Sequence, residues 1–75
     1  MELYGRTKNN GYIVEVYLPS LGEAEQWHVM ILKKGEVVAD DNVPLYHVSC
    51  LGVNSTDLEM LEMRVNELMA ELLGR

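Results

Sequence analysis

Hydrophobic and polar residues alternate along much of the chain with the two-residue period of β-strands. Residues 12–18 (YIVEVYL) are rich in β-branched and aromatic side chains and predict one strand. The nearly continuous apolar run at 26–33 predicts a central strand that is at least partly covered on both faces. A shorter strand is expected near 3–7. One face of the central strand should carry three large apolar side chains, namely Trp27, Val29 and Ile31.

Turn-forming residues separate these runs. Asn and Gly at 9–11 and Gly35 within 33–36 tolerate positive φ, as tight hairpin turns require. A further strand is predicted at 37–39, and it should end in a turn at 40–42, where two Asp and one Asn can bond their own backbone. A last strand is predicted at 45–53, with Tyr46, Val48 and Cys50 on one face.

The period changes to that of a helix over 55–73. Thr56 and Glu59 have the spacing of a capping box at its start, and Gly74 suits the C′ position at its end. Met69 and Leu73 widen the apolar face of this helix. Its central stripe has residues three and four apart: Leu58, Leu61, Val65, Leu68 and Leu72.

These elements predict an α+β fold, in which an antiparallel sheet of three to five strands packs on one C-terminal helix as a two-layer sandwich. We expect a single domain over 1–75, β-rich in 1–53. One helix covers one face of a small sheet, so the second face should remain open as an interaction surface. We expect that face to carry Tyr17, His28 and Met30 and to bind either another protein or a second copy of the chain.

The charged residues give the chain a net negative charge that is concentrated on the predicted helix. The 75 residues carry a net charge of −6, which disfavours bare nucleic acid and anionic membranes as partners because both are polyanions. Residues 57–73, with five carboxylates and one arginine, contribute −4 of it. A second candidate surface, suited to a partner with a basic patch, is therefore the acidic helix, with Glu59, Glu62, Met63, Glu67 and Glu71.

Catalytic and metal-binding patterns are not found in the sequence. His47 and Cys50 would point to opposite faces of a strand, and the acids at 40–42 lack the spacing of a calcium loop. We therefore expect a non-enzymatic protein without metal or cofactor. The single cysteine excludes an intrachain disulfide, and neither a signal peptide nor an apolar run of about 18–20 residues is seen. These features favour the cytoplasm.

Residues 11–19 (GYIVEVYLP) resemble the first strand of HicB-type antitoxin domains. In that family an apolar strand ends in a proline-containing turn, and a Thr-x-x-Glu helix follows later, as Thr56 and Glu59 do here. The resemblance implies a sheet-plus-helix domain that binds and blocks a partner toxin. This chain departs from the family in having more strand sequence between the two pieces and no DNA-binding tail after Arg75.

The sequence thus predicts a small acidic protein-binding module, a regulator or inhibitor of the kind that phages and mobile elements encode. Three alternatives stay open: a homodimer that uses the open sheet face, an acidic mimic that blocks a nucleic-acid-binding enzyme, and a HicB-like antitoxin domain.

Overall fold

The computed structural model describes residues 2–19, 25–46 and 54–74 and confirms the α+β fold. Four antiparallel strands, each hydrogen-bonded to the next in chain order, form the sheet β1-β2-β3-β4. Within the described residues, one helix follows the sheet. The elements are β1 (Glu2–Asn9), β2 (Tyr12–Leu18), β3 (Gln26–Lys33), β4 (Glu36–Pro44) and α1 (Ser55–Leu73). The second and third strands and the helix have the bounds that the sequence predicts.

Two tight turns lie at the same end of the sheet. Asn10 and Gly11 join β1 to β2 with φ of 51° and 83°, and Lys34 and Gly35 join β3 to β4 with φ of 53° and 82°. Positive φ at both central residues is the signature of the type I′ turn, whose twist matches that of the flanking strands. Both turns fall where the sequence predicts them.

The helix packs on one face of the sheet, called the inner face below, and the opposite face is called the outer face. Trp27, Val29 and Ile31 share one face as predicted, and it is the inner face, where each is fully buried and removes enough apolar surface from water to contribute about 1.5–3 kcal/mol. Leu73, expected to widen the apolar stripe of the helix, is instead half exposed. The core contains Tyr12, Val14, Val16, Trp27, Val29, Ile31, Val43, Leu45, Leu61, Leu68 and Met69.

Each edge strand carries one residue without a partner across the ladder. On β1 the register with β2 passes from Leu3 to Gly5, so Tyr4 is the extra residue. On β4 the register with β3 skips Val38 in the same way. Bulges of this kind twist an edge and discourage pairing with other chains. The first one also lets the Tyr4 ring lie edge-on to Trp27, with 4.9 Å between the ring centroids.

The turn predicted at 40–42 is wrong. These residues belong to β4, which continues to Pro44 because its backbone pairs with β3 throughout this stretch. Pro44 stands at the end of an edge strand, where a missing N–H is tolerated. The strand predicted at 45–53 is not formed at Leu45 and Tyr46, and its remaining residues lie outside the described ones.

Both predicted helix caps also differ from the structure. Asn54, rather than Thr56, is the N-cap, and its Oδ1 accepts from the backbone N–H of Thr56 at 2.8 Å. Gly74 closes the helix with φ −82°, so the left-handed conformation that favours glycine is not used there. The helical bounds stay as predicted because the apolar period, rather than either cap, determines them. Of the helices in the described residues, none has the length and hydropathy needed to span a bilayer.

Candidate functional site

The outer face of the sheet presents three cross-strand rows of side chains. Because side chains alternate along each strand, the residues that lie between the buried positions point outward. The register places one residue from each strand in every row. The first row is Leu3, Tyr17, His28 and Asn42. The second row is Arg6, Glu15, Met30 and Asp40. The third row, nearest the two turns, is Lys8, Ile13, Leu32 and Val37.

The predicted sheet-face residues therefore lie together. Tyr17 and His28 are opposite each other on β2 and β3, and Met30 is in the next row. All three are half-buried by their neighbours within the sheet. The apolar surface continues to the edges, where Leu3 is 49% and Val37 52% exposed. A contiguous, partly apolar surface of this kind is typical of a protein contact.

Glu15 on the outer face is paired both along its own strand and across to β1. The Tyr17 hydroxyl donates to Glu15 Oε1 at 3.3 Å, and Arg6 Nε lies 3.5 Å from Glu15 Oε2. Desolvation raises the pKa of Tyr17, the negative charge and hydrogen bond of Glu15 raise it further, and Arg6 opposes these effects. Glu15 thus has two partners within its own chain.

His28 is held by its neighbours in the first row. Its Nδ1 is 3.0 Å from Asn42 Oδ1, and its ring centroid is 6.5 Å from that of Tyr17. Within the described ranges, no three His, Cys, Asp or Glu side chains are close enough to hold a metal ion. His28 is therefore a polar group on the outer face. Its imidazole ring can accept or donate one hydrogen bond to a partner.

The three rows carry no net charge with histidine neutral. Arg6 and Lys8 on β1 balance Glu15 on β2 and Asp40 on β4. The chain as a whole carries −6, so its excess negative charge lies away from these rows. Positive charge is confined to one edge of the outer face and negative charge extends to the other edge.

Four of the five acidic residues of the helix are exposed, but they do not form one surface. Glu62 lines a groove beside β1 and β2, where it lies near Thr7 and Val16. Glu67 lines a different groove on the β4 side, near Pro44. Successive residues of a helix turn by about 100°, which separates these carboxylates to opposite flanks. The predicted set of Glu59, Glu62, Met63, Glu67 and Glu71 is therefore divided between flanks.

Part of the helix charge is also neutralised or buried. Arg64 donates from Nη1 to Glu67 Oε2 at 2.9 Å, and its Nε donates to Asp41. Asp57, one of the five helix carboxylates, is fully buried and accepts a hydrogen bond from the backbone N–H of Tyr46 at 3.2 Å. Sequence reasoning missed this role, although Asn54 three residues earlier marks the helix start and so places Asp57 in the first turn.

The methionines at the back of the helix border the β4 groove, which encloses about 330 Å³. Met60 is half-buried, whereas Met63 is 63% exposed. The groove is lined by Asn42, Val43, Pro44, Met60, Met63, Arg64 and Glu67. Met60 therefore packs partly against the rest of the protein, whereas Met63 is largely open to solvent.

No family model matches the chain, and searches of curated proteins and of solved structures find no significant similarity. The resemblance to HicB-type antitoxins stays a prediction. What the chain does must therefore be inferred from its surfaces.

Proposed function

We propose that this chain is a small non-enzymatic protein-binding module and that the outer face of its sheet is the contact surface. The observation that carries the proposal is the partly exposed apolar surface on both central strands, formed by Ile13, Tyr17, Met30 and Leu32. The helix packs on the inner face, where it covers Trp27 and its neighbours, and leaves these side chains to other contacts. Burial of such apolar area is the main driving force of protein association.

The sheet face is better suited to this role than the helix. Three of the four charged side chains in its rows lie on the edge strands, and the central strands carry mainly apolar ones, an arrangement typical of protein interfaces. The helix carboxylates lie on both flanks, and Glu67 already pairs with Arg64. We further propose that binding makes the chain a regulator or inhibitor of its partner, and that it acts in the cytoplasm, as its single cysteine favours.

Site-specific photo-crosslinking in cells that naturally produce the protein tests this proposal. A photoreactive amino acid replaces Val37, which is exposed at the rim of the outer face, or Met63, which is exposed on the helix. We expect protein adducts from position 37 and none from position 63. Adducts from position 63 alone would move the contact to the helix. The absence of adducts from both positions would contradict a protein-binding function.

A matched pair of substitutions tests the centre of the same surface, while the photoreactive residue stays at its rim, at position 37. Met30→Gln keeps the length of the side chain and adds a polar amide to the middle of the second row, whereas Met63→Gln makes the same change on the helix. In the position-37 background, we expect Met30→Gln to reduce adduct yield several-fold, because a buried unpaired amide is costly. Met63→Gln should leave the yield unchanged. Equal effects would exclude the outer face as the specific contact.

A further inference from the structure

We infer that the outer face binds the outer face of a second copy, with the two-fold axis along the strands and Arg6 of each copy opposite Asp40 of the other. This inference rests on the proposed function and names its partner. The three rows of the outer face carry their charges at fixed positions on the strands. A two-fold interface requires one surface patch to be complementary to itself.

Only two symmetric face-to-face arrangements keep the strands of the two sheets roughly aligned. With the axis along the strands, every row faces the same row, β1 lies over β4 of the second copy, and β2 lies over β3. With the axis across the strands, every strand faces itself, and the first row lies over the third. Aligned packing of sheets, with an angle of about 30° from their twist, accommodates either arrangement.

The charges of the second row distinguish the two arrangements. With the axis along the strands, Arg6 of each copy meets Asp40 of the other, and Glu15 meets Met30. With the axis across the strands, each of the three charged residues would face its own copy. Like charges placed opposite each other disfavour association strongly, whereas opposite charges fix orientation. The pattern therefore selects the axis along the strands.

The same arrangement aligns the apolar residues. Ile13 of each copy meets Leu32 of the other in the third row, and Tyr17 meets His28 in the first. These contacts lie on the central strands, while Arg6 and Asp40 lie on the edge strands and so form a polar rim. The one acid on a central strand, Glu15, keeps Arg6 and the Tyr17 hydroxyl as partners within its own chain.

Charge distribution also favours outer-face contact over self-contact through the acidic remainder of the chain. Two copies of a chain with net charge −6 repel each other at long range, and the repulsion is weakest where the facing surfaces are neutral. The three rows of the outer face are balanced, with Arg6 and Lys8 against Glu15 and Asp40.

The area of the face sets the strength of the dimer. Four strands about 4.8 Å apart, with about seven residues of about 3.3 Å each, make a face of roughly 450 Å². Two such faces bury roughly 900 Å² together, less than the ~1,200 Å² at which standard stable interfaces begin. We therefore expect a weak dimer with a dissociation constant between about 10 μM and about 1 mM.

Sedimentation equilibrium of the full chain and four variants tests the inference. The wild-type mass average should rise towards twice the monomer mass between about 10 μM and about 1 mM. Arg6→Asp and Asp40→Arg should each weaken association about tenfold or more, because each places like charges opposite each other twice. The double swap R6D/D40R should restore association, as should an equimolar mixture of the two single variants. Lys8→Asp, an equal charge change facing Val37, should have a much smaller effect.

Two results would overturn the inference. One is a wild-type chain that stays monomeric over the whole range. The other is a dimer that Arg6→Asp and Asp40→Arg leave unchanged, which places self-contact elsewhere. Circular dichroism of each variant identifies any that fails to fold, and the mixture of two folded single variants then carries the test. A monomeric chain that still forms adducts with a different protein from position 37 would overturn the second copy as partner but leave the proposed function standing.

Discussion

Arg64 on the helix donates from Nε to Asp41 Oδ2 on β4 across 2.6 Å, which joins the two layers on the inner side of the sheet. The two residues are 23 positions apart in the chain, and both side chains are about one-third exposed. The Arg64 hydrogen bond lowers the pKa of Asp41, and the backbone N–H of Asn42 lowers it further. Asp41 and Glu67 together raise the pKa of Arg64 above its already high value, so the arginine stays charged.

This ion pair makes a pH-dependent contribution to stability. Because the pKa of Asp41 is lower in the folded chain, the contribution is complete above the unfolded value of about 3.9 and is lost as the pH falls through the folded value. Asp41→Asn should lower the free energy of unfolding at about pH 7 by no more than about 1 kcal/mol, since the pair is partly exposed. The difference should vanish in strong acid.

Urea unfolding at neutral and acid pH checks this prediction. Glu71→Gln serves as the control because it removes a helix carboxylate that is exposed. A constant difference between wild type and Asp41→Asn at every pH would show that packing, rather than ionisation, is what the substitution changes.

Asp57 stabilises the junction between β4 and the helix. It is fully buried and accepts the backbone N–H of Tyr46. Asp57→Ala should cost about 1–3 kcal/mol, because a donor is left without its acceptor. Asp57→Asn should cost less, since the amide oxygen can still accept. Chemical denaturation measures both, with exposed Glu59→Ala as the control in the same turn. A loss from Glu59→Ala as large as that from Asp57→Ala would argue for a general helix-end effect instead.

The parts of the fold that the sequence predicts are those fixed by local periodicity. Alternation from 12 to 18 places Val14 and Val16 on one face, and the run at 26–33 buries Trp27. The helical stripe likewise gives the bounds of α1. These patterns depend only on which residues are apolar, so they can be recognised without knowing which distant residues each one contacts. The same alternation groups His28 with Met30, but the register that brings Tyr17 beside them and the face that the helix leaves open come only from the fold.

The parts that it misses depend on residues distant in the chain. Asp41 and Asn42 favour a turn locally, but in the fold one pairs with Arg64 and the other with His28, and both become strand residues. Asp57 reads as a solvated helix acid until Tyr46 is known to lie beside it. The division of Glu62 and Glu67 between flanks also requires the direction in which the helix lies over the sheet.

The edge-on contact between Tyr4 and Trp27 provides a spectroscopic test of the β1 bulge. Trp27 is the single tryptophan, it is fully buried, and no described group bonds its indole nitrogen. Tyr4→Ala should uncover the indole, shift its emission to longer wavelength and cost about 0.5–1.5 kcal/mol for the lost aromatic pair. Tyr4→Phe should do neither. Leu3→Ala, on the outer face, should leave the emission unchanged; a matching red shift there would indicate general loosening of β1.

The two turns allow a reciprocal pair of substitutions at the same turn position, with opposite expected effects on stability. Asn10-Gly11 is the preferred pair for a type I′ turn, whereas Lys34-Gly35 places a lysine at φ 53°, where a long side chain is disfavoured. Lys34→Asn should therefore stabilise the chain by several tenths of a kcal/mol and up to about 1 kcal/mol, and Asn10→Lys should destabilise it by a similar amount. Thermal unfolding of both variants measures the two changes. Lys34→Gln, which removes the same charge without the preference for positive φ, is the control. Equal stabilisation by Gln and Asn would assign the gain to charge and contradict the backbone explanation.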